Sequence, residues 1–74
     1  MHTTFSGERL RKMRKAAGWS GERLAVAIGR SLYSVSAYEA GRSTPSAEVV
    51  ARAADALGGD VADLFDVVPD EVAA

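Results

Sequence analysis

The side chains best placed to do chemistry in this sequence are its cations, and the chemistry they suit is attraction of an anion. All nine of them (Arg9, Arg11, Lys12, Arg14, Lys15, Arg23, Arg30, Arg42 and Arg52) lie at or before position 52. Only four acids, Glu8, Glu22, Glu39 and Glu48, share that stretch, so nine against four leaves +5 there. The remainder holds six acids and no cation, −6, and the two halves give the overall −1. Such asymmetry suggests that one end meets phosphate while the other faces water, although two solvated faces would satisfy it as well. Other chemistries find little support. His2 is the sole histidine and there is no cysteine, which excludes a disulfide framework and a thiolate metal site. No base–nucleophile pair can be placed, so the chain reads as no enzyme.

The elements that must position these cations are helices. With 74 residues there is room for one domain and one core. The longest apolar run, Leu24–Ile28, is far short of a membrane span, and Met1–Thr4 lacks a signal-peptide pattern, so a soluble intracellular protein is expected. Ser-Gly-Glu-Arg-Leu occurs at Ser6–Leu10 and again at Ser20–Leu24. In each copy the serine can cap a helix, the glutamate sits near the positive end of the dipole, and the leucine is the first core residue. Helix 1 is predicted from about Gly7 to Ala17, with Leu10, Met13 and Ala17 on one face. Helix 2 follows from Gly21 to Ile28. Helix 3 runs from Leu32 to Ala40 behind Ser31, and helix 4 from Ala47 to Leu57 behind Ser46. A short helix 5 starts after Asp60 and carries Val61, Leu64 and Phe65. Val67-Val68-Pro69 reads as extended, and no strand pairing is signalled.

The informative segment is Gly21–Tyr38. Helices 2 and 3 are joined by only Gly29-Arg30-Ser31, too tight for an antiparallel hairpin and right for a corner near 90–120°. A corner needs a small residue where the helices cross, a residue tolerant of positive φ, and an apolar residue facing back. Ala25, Gly29 and Val35 meet those needs, with Tyr38 one turn later. These are the demands of a DNA-binding helix-turn-helix.

From about Leu10 to Phe65 the chain resembles the helix-turn-helix domain of phage lambda repressor and Cro-like regulators, the XRE family. The resemblance is carried by Leu10-Arg11-Lys12-Met13-Arg14, Ala17-Gly18-Trp19-Ser20, Leu24-Ala25, Gly29, Ser31 and Val35-Ser36. It continues through Tyr38-Glu39, Gly41-Arg42, Pro45-Ser46, Ala56-Leu57-Gly58 and Asp63-Leu64-Phe65. It implies an all-α, compact five-helix fold over residues 1–66, followed by a short acidic tail at 67–74. It also implies transcriptional regulation, repression above all (a phage immunity repressor or Cro-like protein), with no cofactor. The partner implied is operator double-stranded DNA, bound as a homodimer in the cytoplasm, on the bacterial nucleoid or in a phage-infected cell.

Residue by residue, the resemblance makes Arg14 and Glu39 a structural ion pair joining helix 1 to the end of helix 3. Leu32, Tyr33, Ser36 and Ala37 match outward positions that meet base edges in the major groove. Ser20, Gly21, Ser31 and Arg42 fall at phosphate-contacting positions, three of them at helix starts, where free N–H groups favour an anion; Ser43 is counted with them, and Arg30 is expected as an added phosphate contact. This chain departs from the pattern at Gly21, often glutamine; at Arg30, usually apolar; and at Leu32 and Tyr33, often polar. Without Arg, Gln or Asn on the outward face of helix 3, bidentate base readout is not available from it. Thymine-methyl contacts and DNA shape are expected to carry the discrimination.

Helix 5 with Val67, Val68 and Val72 is the candidate dimer surface. The final Val72-Ala73-Ala74 reads first as an ordinary alanine-rich end, although it also resembles the small apolar C-terminal tags read by bacterial energy-dependent proteases. A competing reading keeps the fold but makes it a protein-interaction module, antitoxin-like or adaptor, with the apolar Leu32-Tyr33 pair meeting a protein.

Overall fold

The computed structural model describes residues 1–69, which places the Val72-Ala73-Ala74 segment outside the described residues. Its elements in chain order are strand β1 (His2–Phe5), helices α1 (Gly7–Ala16), α2 (Gly21–Ile28), α3 (Leu32–Glu39) and α4 (Ala47–Leu57), a 3-10 helix at Val61–Leu64, and strand β2 (Phe65–Val68). Each α-helix starts where its serine can act. Ser6, Ser20, Ser31 and Ser46 are all extended, and each hydroxyl accepts the backbone N–H three residues on. That bond satisfies one donor left orphaned in the first turn.

The helices pack through a small common core. Leu10, Leu24, Ile28, Val35, Val49 and Leu64, drawn from every helix, are essentially closed to solvent. Burying a side chain of this kind stabilises by about 1.5–3 kcal/mol. Met13, Trp19 and Leu57 pack half-buried against its edge. Ala17, expected inward, is exposed. Helix α1 stops at Ala16, so Ala17 is its cap and the chain turns away at Gly18, φ +73°.

Two further differences concern the ends. The fifth helix is a four-residue 3-10 helix, opened by Asp60 N–H donating to the Asp63 carboxylate at 3.0 Å. The expectation of no strand pairing is corrected: β1 and β2 form an antiparallel ribbon in which His2 faces Val68 and Phe5 faces Phe65. Val67 and Val68, assigned by sequence to the tail, are thus strand residues opposite Thr3 and His2. Ser6 N–H extends the ladder to the Leu64 carbonyl at 2.8 Å, and the Phe5 and Phe65 rings meet edge-on at 6.1 Å. Arg9 on α1 binds the Asp66 carboxylate at 2.6 Å across the join. Four-residue strands some sixty positions apart leave no period-two run long enough to read locally. Among the described residues no helix is long and apolar enough to cross a membrane.

Candidate nucleic-acid interface

The corner between α2 and α3 is built as its residues require. Gly29 takes the left-handed conformation, φ 68° and ψ 34°, where a side chain would be strained. The turn closes with Arg30 N–H donating to the Ala25 carbonyl at 3.0 Å and Gly29 N–H to that of Val26 at 3.2 Å. Ala25 and Val35 are buried at the crossing, and Tyr38 lies inward one turn later. With that side fixed, the opposite side of α3 stands in solvent. Leu32 is 46% exposed, Tyr33 77%, and Ser36 is exposed.

Ala37 does not belong to that surface. It is 6% exposed, which corrects its assignment as a base-contacting position. Its carbonyl accepts from Arg42 N–H at 2.9 Å and Ser43 N–H at 3.4 Å, which closes the end of α3. The side chains of Arg42 and Ser43 remain exposed beyond the helix end.

Both ends of α3 are held by glycines. At its start, a Cβ on Gly21 would meet Leu32 Cδ1 at 3.0 Å, so the half-covered Leu32 rests on the backbone of α2. A longer residue at position 21 would displace it. At its end, a Cβ on Gly7 would lie 2.1 Å from the Tyr38 carbonyl oxygen and 2.7 Å from that of Glu39. Here α1 docks backbone to backbone.

The expected ion pair reinforces this second contact. Arg14 Nε and Nη2 donate to the two Glu39 oxygens at 2.7 and 2.9 Å, and Nη1 donates to the Trp19 carbonyl at 2.9 Å. The side chains are 14% and 10% exposed. Hydrogen bonding to Glu39 raises the Arg14 pKa above its ordinary value; burial opposes that, and the Glu39 charge adds to it. The three bonds tie the ends of α1, α3 and the α1–α2 turn together.

Around this frame lie the other expected contacts. Ser20 and Ser31 are exposed, with hydroxyls accepting from Arg23 N–H and Ser34 N–H at 3.0 and 3.1 Å. The Arg30 side chain is exposed and donates to the Gly29 carbonyl at 3.1 Å. Two further cations, not assigned to the site by the sequence, have distinct surroundings. Arg23 stacks over the Trp19 ring at 4.0 Å. Arg11 lines an open cleft of about 340 Å³ between α1 and the end of α3, together with Arg14, Ser36, Glu39, Ala40 and Arg42. Its i, i+3 relation to Arg14 was a legible signal that the two share one helix face. Among the described residues there is no cluster of side chains able to hold a metal ion.

Comparison with known proteins agrees with this geometry. The family model described as "Helix-turn-helix domain" matches residues 7–73. The structure of the clp gene regulator ClgR from Corynebacterium glutamicum is 38% identical, with a TM-score of 0.76 over 78% of this chain and 62% of that one. The restriction-modification controller protein C.AhdI from Aeromonas hydrophila is 36% identical, with a TM-score of 0.75 over 80% of this chain and 89% of that one. The P22 c2 repressor in complex with a synthetic operator is 26% identical, with a TM-score of 0.76 over 82% and 92%. This chain therefore spans under two thirds of the ClgR chain. Compared with curated protein sequences, it has no match. The chain belongs to the helix-turn-helix family of lambda-repressor-like, XRE-type regulators.

Proposed function

We propose that this protein binds operator DNA with α3 in the major groove and represses transcription. One observation carries the reading: Leu32, Tyr33 and Ser36 stand in solvent on a helix whose opposite side is locked by Ala25, Gly29 and Val35. Leu32 offers an apolar surface to a thymine methyl, while Tyr33 and Ser36 each offer one hydroxyl. The start of α2 at Ser20-Gly21, then Arg30, Ser31, Arg42 and Ser43, flank this surface and suit phosphate. Similarity to a repressor solved on its operator supports the same mode.

Affinity then rests on phosphate. With about four cations per protomer in contact, log K falls against log salt with a slope near −3.6. A homodimer on an inverted repeat follows from the weakness of one small domain. Its candidate surface is the apolar groove of Val61, Ala62, Phe65, Val67 and Thr3. The test is selection of bound duplexes from a random pool. A palindromic consensus, weakened by Tyr33→Ala and Arg42→Ala, is the expected result. Failure to enrich any sequence would sink the proposal. The exposed Leu32-Tyr33 pair also suits a protein partner, and duplex binding untouched by Leu32→Ala and Tyr33→Ala would favour that reading.

A further inference from the structure

We infer that the cleft between α1 and the end of α3 is a seat for one DNA phosphodiester, and that Arg11, on α1, is a DNA-contacting residue. The inference rests on the DNA reading above and adds to it a contact from α1, outside the helix-turn-helix. Arg9, Lys12, Arg14 and Arg52 each face a carboxylate, at 2.6, 3.1, 2.7 and 2.5 Å respectively. Arg11 and Arg42 do not: among the described residues neither has an ion-pair partner, although both are exposed on the rim of one cleft.

The floor of the cleft is already neutral, because Arg14 spends its fork on Glu39 and the Trp19 carbonyl. The rim cations therefore leave two uncompensated positive charges around a polar hollow. They come from different elements, so no shared flexible segment sets their separation. Each guanidinium presents a planar fork suited to the two non-bridging oxygens of a phosphodiester. Ser36 forms the wall shared by the cleft and the outward surface of α3, one turn beyond Tyr33. A strand whose bases meet Leu32 and Tyr33 can thus lay a neighbouring phosphate between Arg11 and Arg42. That contact would fix how α3 lies along the groove and carry no base information.

The test is the salt dependence of duplex binding by the full chain and by Arg11→Ala, Arg42→Ala and Lys12→Ala, with folding checked by thermal unfolding. Arg11→Ala and Arg42→Ala should each flatten the slope by about 0.9 and weaken all duplexes alike, leaving the preferred sequence unchanged. Lys12, on the same helix but beside Glu8, should leave the slope as it is. Inorganic phosphate added at constant ionic strength should not displace the duplex; displacement would assign the cleft to a free anion and overturn the proposal. An Arg11→Ala slope equal to that of the unmodified chain, with binding intact, would overturn it alone. A chain with no salt-dependent duplex binding would overturn the DNA reading itself.

Discussion

Ser6–Leu10 and Ser20–Leu24 are the same five residues, and the structure uses them at opposite ends of one helix. Locally they are alike. Each serine caps its helix, at 3.1 and 3.0 Å, and each leucine is buried. Beyond the first turn they part. Gly7 lets α1 press against the carbonyls that end α3, whereas Gly21 lets Leu32, which begins α3, settle onto α2. Arg9 pairs with Asp66 on the ribbon, and Arg23 stacks on Trp19. One peptide solves the same local problem twice, and its surroundings decide what the glycine is for.

The comparison breaks most sharply at the glycines. Gly7→Ala should cost about 3 kcal/mol or more, the upper end of overpacking, because the new methyl meets unyielding backbone. Gly21→Ala should stay within about 1 kcal/mol, since a leucine tip can move aside and alanine suits a helix better. Urea denaturation of both variants checks this; equal losses would show that the two copies do the same work. Next in size is the clamp beside Gly7. Arg14→Ala or Glu39→Ala should cost about 2–3 kcal/mol, somewhat under the figure for a fully buried pair because both side chains keep a little exposure. A loss near zero would make the pair a surface feature.

The caps sharpen the likeness. Ser6→Ala and Ser20→Ala should each cost about 1 kcal/mol, and by similar amounts, as the bonds removed are the same. A clear inequality would show tertiary context reaching into the first turn. The smallest effect is the most specific. Gly21→Ala should shift base preference a few-fold at the position under Leu32 and do nothing to preference in a Leu32→Ala background. A shift that persists without Leu32 would mean that Gly21 acts on DNA directly.

Much of this was legible from residues three or four apart. The serine caps, the corner at Ala25, Gly29 and Val35, and the starts of all four α-helices follow from spacing alone. Ala37 was misplaced because helical position alone does not reveal which side chains the folded chain covers. The ribbon was missed because each strand is four residues long and its partner lies at the other end of the chain. Arg11 carried a signal, its spacing from Arg14, but nothing local showed Arg42 arriving on the other side of the cleft.

The sequence by itself set where helices begin and that Leu10, Leu24 and Leu64 turn inward, since those choices are made by hydrogen bonds and side-chain rows within one or two turns. Only the folded chain decided what the two identical glycines touch, which cations among the described residues kept their charge unpaired, and that β1 meets β2. Contacts of that kind join residues 11 to 66 positions apart, and their partners are fixed only when the core has closed.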